Sequence, residues 1–153
     1  MLAYSYSQYG SADVVSRIEV PRSIAKPDEV LIRIVATTVS AGDWRARSLT
    51  MPKGLGFVGR LVFGLTGPRK PILGTEFSGV IDQVGSDVST FQGGDAVIGF
   101  PGASFGAHAE FITMPANGKL TKKPDTVSFA EAAAIPFGAT TAYDFLVNKA
   151  KLK

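Results

Sequence analysis

Gly74-Thr75-Glu76-Phe77-Ser78-Gly79-Val80-Ile81-Asp82-Gln83-Val84-Gly85-Ser86-Asp87-Val88 is the stretch on which the reading of this chain turns. Glu76 to Val84 has the length and the apolar, β-branched content of a strand. Gly74, in front of it, lets the backbone turn tightly; Gly79, inside it, permits a bulge or the close approach of another segment. Taken alone, the spacing of Gly74, Glu76, Gly79, Gly85 and Val88 describes a strand with awkward glycines.

Upstream, Pro27-Asp28-Glu29 is a turn that launches Val30 to Thr37. Leu31, Arg33, Val35 and Thr37 share one face of that run, and Val30, Ile32, Ile34 and Ala36 the other. Met1 to Tyr6 and Val14 to Val20 are short strands separated by the turn residues Tyr9-Gly10-Ser11. Ser40 to Arg47 is a loop entering a short helix. Thr50 to Leu73 is rich in Gly and Pro and too long for a simple turn. Its apolar residues Leu55, Phe57, Val58, Leu61, Val62 and Phe63 predict a folded flap.

Downstream, Gly93-Gly94-Asp95 turns into a strand at Ala96 to Gly99, and Ala109 to Thr113 reads as another. The tail changes character. Ser128 and Glu131 have the spacing of a capping box ahead of an Ala-rich helix. Pro136 and Gly138 interrupt it. Thr140 to Lys149 reads as a second helix with Ala142, Phe145 and Leu146 on one face and cations in its last turn. The expected fold class is mainly β, with a few short peripheral helices and a C-terminal helix.

The 153 residues suffice for one ordinary domain with a real core. The pI is about 9.3 on a net charge of only +3. Arg45, Arg47, Lys53, Arg60, Arg69, Lys70, Lys149, Lys151 and Lys153 are scattered, without the dense stripe and interleaved aromatics of a nucleic-acid surface, so no nucleic-acid partner is expected. There is no cysteine, which excludes disulfides, thiol nucleophiles and thiolate metal sites. The N-terminus lacks the pattern of a signal peptide, and no run approaches the roughly 20 apolar residues of a membrane span. A cytoplasmic protein without a membrane partner is the expectation.

The 74–88 spacing resembles the G-H-E-x-x-G-x5-G-x-x-V signature of the medium-chain dehydrogenase/reductase superfamily. The resemblance covers nearly the whole chain, in family order. Pro27-Asp28-Glu29-Val30-Leu31-Ile32-Arg33 is similar to the family's first long strand, and Val39-Ser40-Ala41-Gly42-Asp43-Trp44-Arg45-Ala46-Arg47 to its active-site loop. Gly93-Gly94-Asp95-Ala96-Val97 resembles the G-D-x-V turn, and Phe105 to Phe111 the G-x-x-A-E-Y strand. Ala132 to Tyr143 resembles the segment that crosses into the cofactor domain.

The departures from that pattern point to one branch. Ser40 stands where the alcohol dehydrogenases place a zinc-binding Cys, Thr75 where they place a His, and Pro136 approximately where they place a second Cys. Hydroxyls are poor zinc ligands and Glu76 alone cannot hold the metal, so no metal site is expected. His108, the only histidine, is read as structural. The chain thus resembles the zinc-independent quinone oxidoreductases.

That resemblance implies a GroES-like, partly open β-barrel over residues 1–127 and a helical crossover segment over 128–153, leading to a Rossmann domain that this chain lacks. A truncated product is the expectation, with NADPH bound chiefly outside it. Gly54-Leu55-Gly56-Phe57-Val58-Gly59 matches G-x-G-x-x-G literally, but no strand precedes it, and context rejects it as a dinucleotide fingerprint.

The implied activity of the whole enzyme is hydride transfer from NADPH to a small-molecule quinone or α,β-unsaturated carbonyl; the fragment alone would be inactive. Ser40, Asp43, Trp44, Thr75 and Thr140 would line the cleft. Ser40 either donates a hydrogen bond to the acceptor or stabilises its turn. Asp43 relays a proton or caps the helix. Trp44 is an aromatic wall or core packing, Thr75 binds substrate, and Thr140 contacts the nicotinamide or caps the last helix. Glu76 is expected to brace the loop, through a hydrogen bond or an ion pair with an Arg. Exposure of Ile135, Phe137 and Phe145 would favour self-association. The other class left open is a stand-alone GroES-like binding or interaction module.

Overall fold

The computed structural model describes residues 1–152; Lys153, the last of the scattered cations, lies outside them. Strands β1 (Leu2–Tyr6) and β2 (Val15–Glu19) pair as an antiparallel hairpin. A second sheet holds β3 (Glu29–Thr37), β4 (Phe77–Val84), β5 (Ala96–Gly99), β6 (Phe111–Pro115) and β7 (Leu120–Lys122). Its order is β6-β3-β4-β5-β7, and every pairing is antiparallel. The hairpin ties to the loops of this sheet through single bridges, Ala3 to Ala109 and Ser5 to Ile72. The result is a mainly β half-barrel: the strand pattern predicts the mainly β class, and the family resemblance the partly open GroES-like barrel.

The period-two reading of β3 holds in its second half: Ile34 and Ala36 are partly sheltered while Arg33, Val35 and Thr37 are exposed. Val30 and Ile32 join Phe77, Ile81, Val97, Ala107, Ile112 and Met114 in the core. Register shifts between Leu31 and Ile32 and between Ile34 and Ala36 mark irregularities on β3. Gly79 sits opposite Ile34. A Cβ there would approach Ile32 Cγ2 to 2.9 Å. The glycine inside the strand is therefore there for close strand approach.

Two expectations change. The strand read at Ala109 to Thr113 begins only at Phe111, because Ala109 bridges to Ala3 and Glu110 turns to the hairpin. The Glu110 amide donates to Leu2 O at 3.0 Å, and its carboxylate accepts the Leu2 amide at 2.7 Å. The tail is not interrupted at Pro136 and Gly138. Helix α3 (Phe129–Ala134), a π turn (Ile135–Ala139), α4 (Thr140–Tyr143) and a second π turn (Asp144–Lys149) run on without a break. Pro136 has no N–H for the ladder, and the next amide, Phe137 N–H, donates to Glu76 Oε2 instead, where the helix widens into the π segment. Thr140 is not an N-cap: it has helical dihedrals, and its hydroxyl donates to the Pro136 carbonyl.

The capping box at the head of α3 is formed. Glu131 N–H donates to Ser128 Oγ at 3.2 Å, and Glu131 Oε2 accepts Ser128 N–H at 2.8 Å. α3 packs on β3 and β4, burying Ala132 and Ala133. Ser78 Oγ donates to Phe129 O at 2.5 Å and fastens the helix to β4. No helix of the described residues is long and apolar enough to cross a membrane.

Candidate functional site

The loop after β3 enters α1 (Ala41–Ser48), and Ser40 is its N-cap. Ser40 Oγ accepts Asp43 N–H at 3.3 Å and donates to Asp43 Oδ2 at 2.7 Å. Asp43 Oδ2 also accepts Ser40 N–H at 2.8 Å, completing a capping box. The other carboxylate oxygen, Oδ1, accepts Gly74 N–H at 2.8 Å. Asp43 is 2 % exposed and clamps the start of α1 to the turn ahead of β4. Of the two roles its residue type allowed, the geometry contains the one at the helix start, with Asp43 as the N3 member of a capping box whose cap residue is Ser40.

Gly74 has φ +97, and a Cβ on it would lie 2.6 Å from His108 N and 2.7 Å from Ala107 C. Only glycine fits such a turn pressed on a backbone. The turn brings Thr75 beside Ser40, with their hydroxyl oxygens 3.2 Å apart. Glu76 then braces three segments at once. Its Oε1 accepts the Thr38 hydroxyl at 2.5 Å, its Oε2 the Phe137 N–H at 2.8 Å, and its carbonyl the Thr37 hydroxyl at 2.8 Å. The brace is made of hydrogen bonds and not of an arginine ion pair. His108 Nε2 lies 2.9 Å from Thr38 O and holds the same loop, the structural role read from its isolation in sequence.

The donor set here does not suit zinc. It consists of two hydroxyls bonded to each other and a carboxylate whose two oxygens are both engaged. Nor do these residues fit a dinucleotide. Gly54 to Gly59 leads into α2 (Gly56–Phe63) with no strand directly before it, and antiparallel pairing throughout leaves no βαβ unit among the described residues.

Ser40 and Thr75 open onto a cavity of about 600 Å³, within the range of small-molecule sites. Phe63, Phe100, Phe105 and Phe137 supply apolar walls. Phe100 stacks on Phe137 with ring centroids 6.4 Å apart, and Phe63 tilts against Phe105 at 6.5 Å. Tyr6 also lines the cavity. Burial, then Tyr9 and Asp43, pushes its hydroxyl up to about 12, so it stays a protonated donor.

The five residues expected to share one cleft are divided. Ser40 and Thr75 stay together. Asp43 and Trp44 line a separate cavity of about 720 Å³ between the β1–β2 hairpin, β3 and α1, with Arg47 and His108. Thr140 borders a shallower depression with Ile135 and Pro136. Helix geometry explains the division on α1: Gly42 and Arg45, three residues apart, face one cavity, while Trp44 and Arg47 face the other. Sequence reading missed Arg45, Arg69, Lys70 and the phenylalanines of the first cavity. The helical spacing of residues 41–48 would have found Arg45; the others come from segments far apart in the chain.

Residues 26–125 match the alcohol dehydrogenase GroES-like domain. The chain is 35% identical over 157 residues to the chloroplastic quinone-oxidoreductase homolog of Spinacia oleracea, covering 100% of this chain and 44% of that protein. It is 32% identical over 158 residues to the chloroplastic NADPH-dependent alkenal/one oxidoreductase of Arabidopsis thaliana, covering 97% and 37%. The structure of the quinone oxidoreductase from Coxiella burnetii superimposes with a TM-score of 0.82 at 27% identity, over 100% of this chain and 46% of that one. The chain thus spans less than half the length of each. Fold, block order and similarity agree: the chain belongs to the alcohol dehydrogenase GroES-like domain family, among quinone-oxidoreductase-like members of the medium-chain dehydrogenase/reductase superfamily.

Proposed function

We propose that this chain is the acceptor-binding part of an NADPH-dependent oxidoreductase that reduces a quinone or an α,β-unsaturated carbonyl. The observation that carries the reading is the pair of hydroxyls, Ser40 and Thr75, lining an aromatic-walled cavity. A flat conjugated carbonyl suits such walls, and hydroxyl donors suit the oxygen on which negative charge develops. Relatives named for quinone and alkenal/one reduction support the same class.

The residues divide their work as follows. Ser40 commits its proton to Asp43, so Thr75 is the hydroxyl that turns from Ser40 to the acceptor oxygen. Asp43 and Glu76 are positioning residues: one fixes Ser40, the other fixes the loop and the Phe137 wall. Trp44, on the other face of α1, belongs to the neighbouring cavity. Thr140 stands beside the Phe137 wall on the helical run from Phe129 to Lys149, the segment read as crossing toward a nicotinamide-holding domain. NADPH supplies the hydride, and residues outside this chain hold it. A cysteine-free chain suits a reducing compartment such as the cytosol.

The test is NADPH oxidation, followed at 340 nm, by the complete product of the gene that encodes this chain. Quinone- or enone-dependent oxidation that falls about tenfold or more in Thr75→Val is the expected result. No oxidation with any quinone or enone would sink the reading, as would turnover by residues 1–153 alone. A complete gene product without a dinucleotide-binding half would favour a stand-alone binding module.

A further inference from the structure

The mouth of the Ser40–Thr75 cavity carries an unbalanced charge. Arg45 from α1 and Arg69 and Lys70 from the segment after α2 all line it, and no carboxylate does. The ion pairs of the described residues lie elsewhere, at Arg22–Asp82, Lys26–Glu29 and Lys122–Asp95. Asp43, on the same helix as Arg45, points its carboxylate away, into Ser40 and Gly74. Glu76 spends both oxygens on Thr38 and Phe137. Three cations thus meet at an apolar cavity with nothing of opposite sign to answer them.

A purely hydrophobic acceptor has no use for such a rim. Cations gathered beside an apolar wall favour an anion, and guanidinium groups suit the planar fork of a carboxylate. We propose that the cavity selects a conjugated carbonyl compound bearing an anionic group, a carboxylate, and that Arg45, Arg69 and Lys70 discriminate it from the neutral compound. The inference rests on the reading of this cavity as the acceptor site. It goes further, because the hydroxyls and aromatic walls alone would accept a neutral enone equally well. The same cations would also answer a phosphate of the cofactor, which shares the chemistry of an anionic oxygen group, so the experiment separates the two.

The test uses the 153-residue chain with two probes that differ only in charge, 4-phenylbut-3-en-2-one and its para-carboxylate. Binding is followed by NMR, with the Gly42 and Thr75 amides as markers of the cavity. The carboxylate should bind about tenfold more tightly at low salt. That preference should shrink as ionic strength rises. It should vanish in Arg45→Gln/Arg69→Gln/Lys70→Gln, while the neutral probe binds as before. All three side chains are exposed, and an unchanged amide spectrum elsewhere shows that the variant is folded. Equal binding of the two probes at the markers overturns the anion proposal and leaves the acceptor site standing. No shift at the markers with either probe overturns both. NADPH shifting the same amides in a way the triple variant abolishes, with the two enones equal, reassigns the cations to a cofactor phosphate and overturns the proposal.

Discussion

The β3–β4 pair and the helical run from Phe129 to Lys149 both carry large apolar side chains, and they treat them in opposite ways. Phe77 is fully buried, and Phe145 is 63 % exposed. In the strands, neighbours on both sides and α3 close over the residues that alternation points inward. In the helical run only Ala132 and Ala133 are buried, and Ile135, Phe137, Phe145 and Leu146 stand open. Identical side-chain chemistry stabilises the one region and stands exposed in the other. Amphipathicity says which face wants cover; it does not say that the cover is at hand.

The sharpest way to break this comparison is to truncate both phenylalanines. Phe77→Ala should cost about 3–5 kcal/mol in urea denaturation, the penalty of a cavity in a closed core. Phe145→Ala should change stability by no more than about 0.5 kcal/mol. A large cost at Phe145 that grows with protein concentration would show that a second copy covers the helix, and sedimentation would then report a dimer.

A smaller effect should come from the link between the two regions. Glu76→Gln keeps the shape but leaves an amide NH₂ in place of one carboxylate oxygen, so either Thr38 or Phe137 loses its acceptor. The expected cost is about 1–2 kcal/mol. Hydrogen exchange at the Phe137 amide should accelerate about tenfold while the β3–β4 amides stay protected. Uniform acceleration across both regions would mean that they unfold as one unit.

The smallest effect concerns acid. The Ser128 backbone N–H, then its hydroxyl, holds the Glu131 carboxyl below its usual value, and the Gln92 N–H and then Lys122 do the same for Asp95. A carboxylate depressed in the folded state adds stability above its unfolded value and loses it as pH falls through the folded one. Stability should therefore decline as pH drops below the ordinary carboxylate range. In Ser128→Ala the head of α3 should lose that pH dependence, and helical amides there should exchange faster at neutral pH. An unchanged acid profile in Ser128→Ala would count against the capping box as its source.

Much of the frame was legible beforehand. β3, β4 and β5 announce themselves by alternation and by the glycines around them, and the Ser128–Glu131 box by its spacing. The π turns were not legible: Pro136 and Gly138 read as breaks, and only the packed chain shows the helix widening to carry them. At the site, Ser40 and Thr75 were picked out together and are together. Trp44 was placed with them and faces the neighbouring cavity instead, because an eight-residue helix does not declare by itself which face a neighbour will take. The cations and aromatic walls escaped notice for a different reason: residues 45, 63, 69, 100, 105 and 137 meet only after four strands and a flap have closed around them.

The amino-acid order alone determined the strand pattern, the Ser128–Glu131 capping box and the hydroxyls that stand where metal ligands would be, because each of these rests on neighbours a few residues away. Which residues share a cavity, which carboxylates are already occupied, and which apolar face remains open were decided by the tertiary structure. Those properties depend on contacts between segments tens of residues apart, and local spacing carries no record of them.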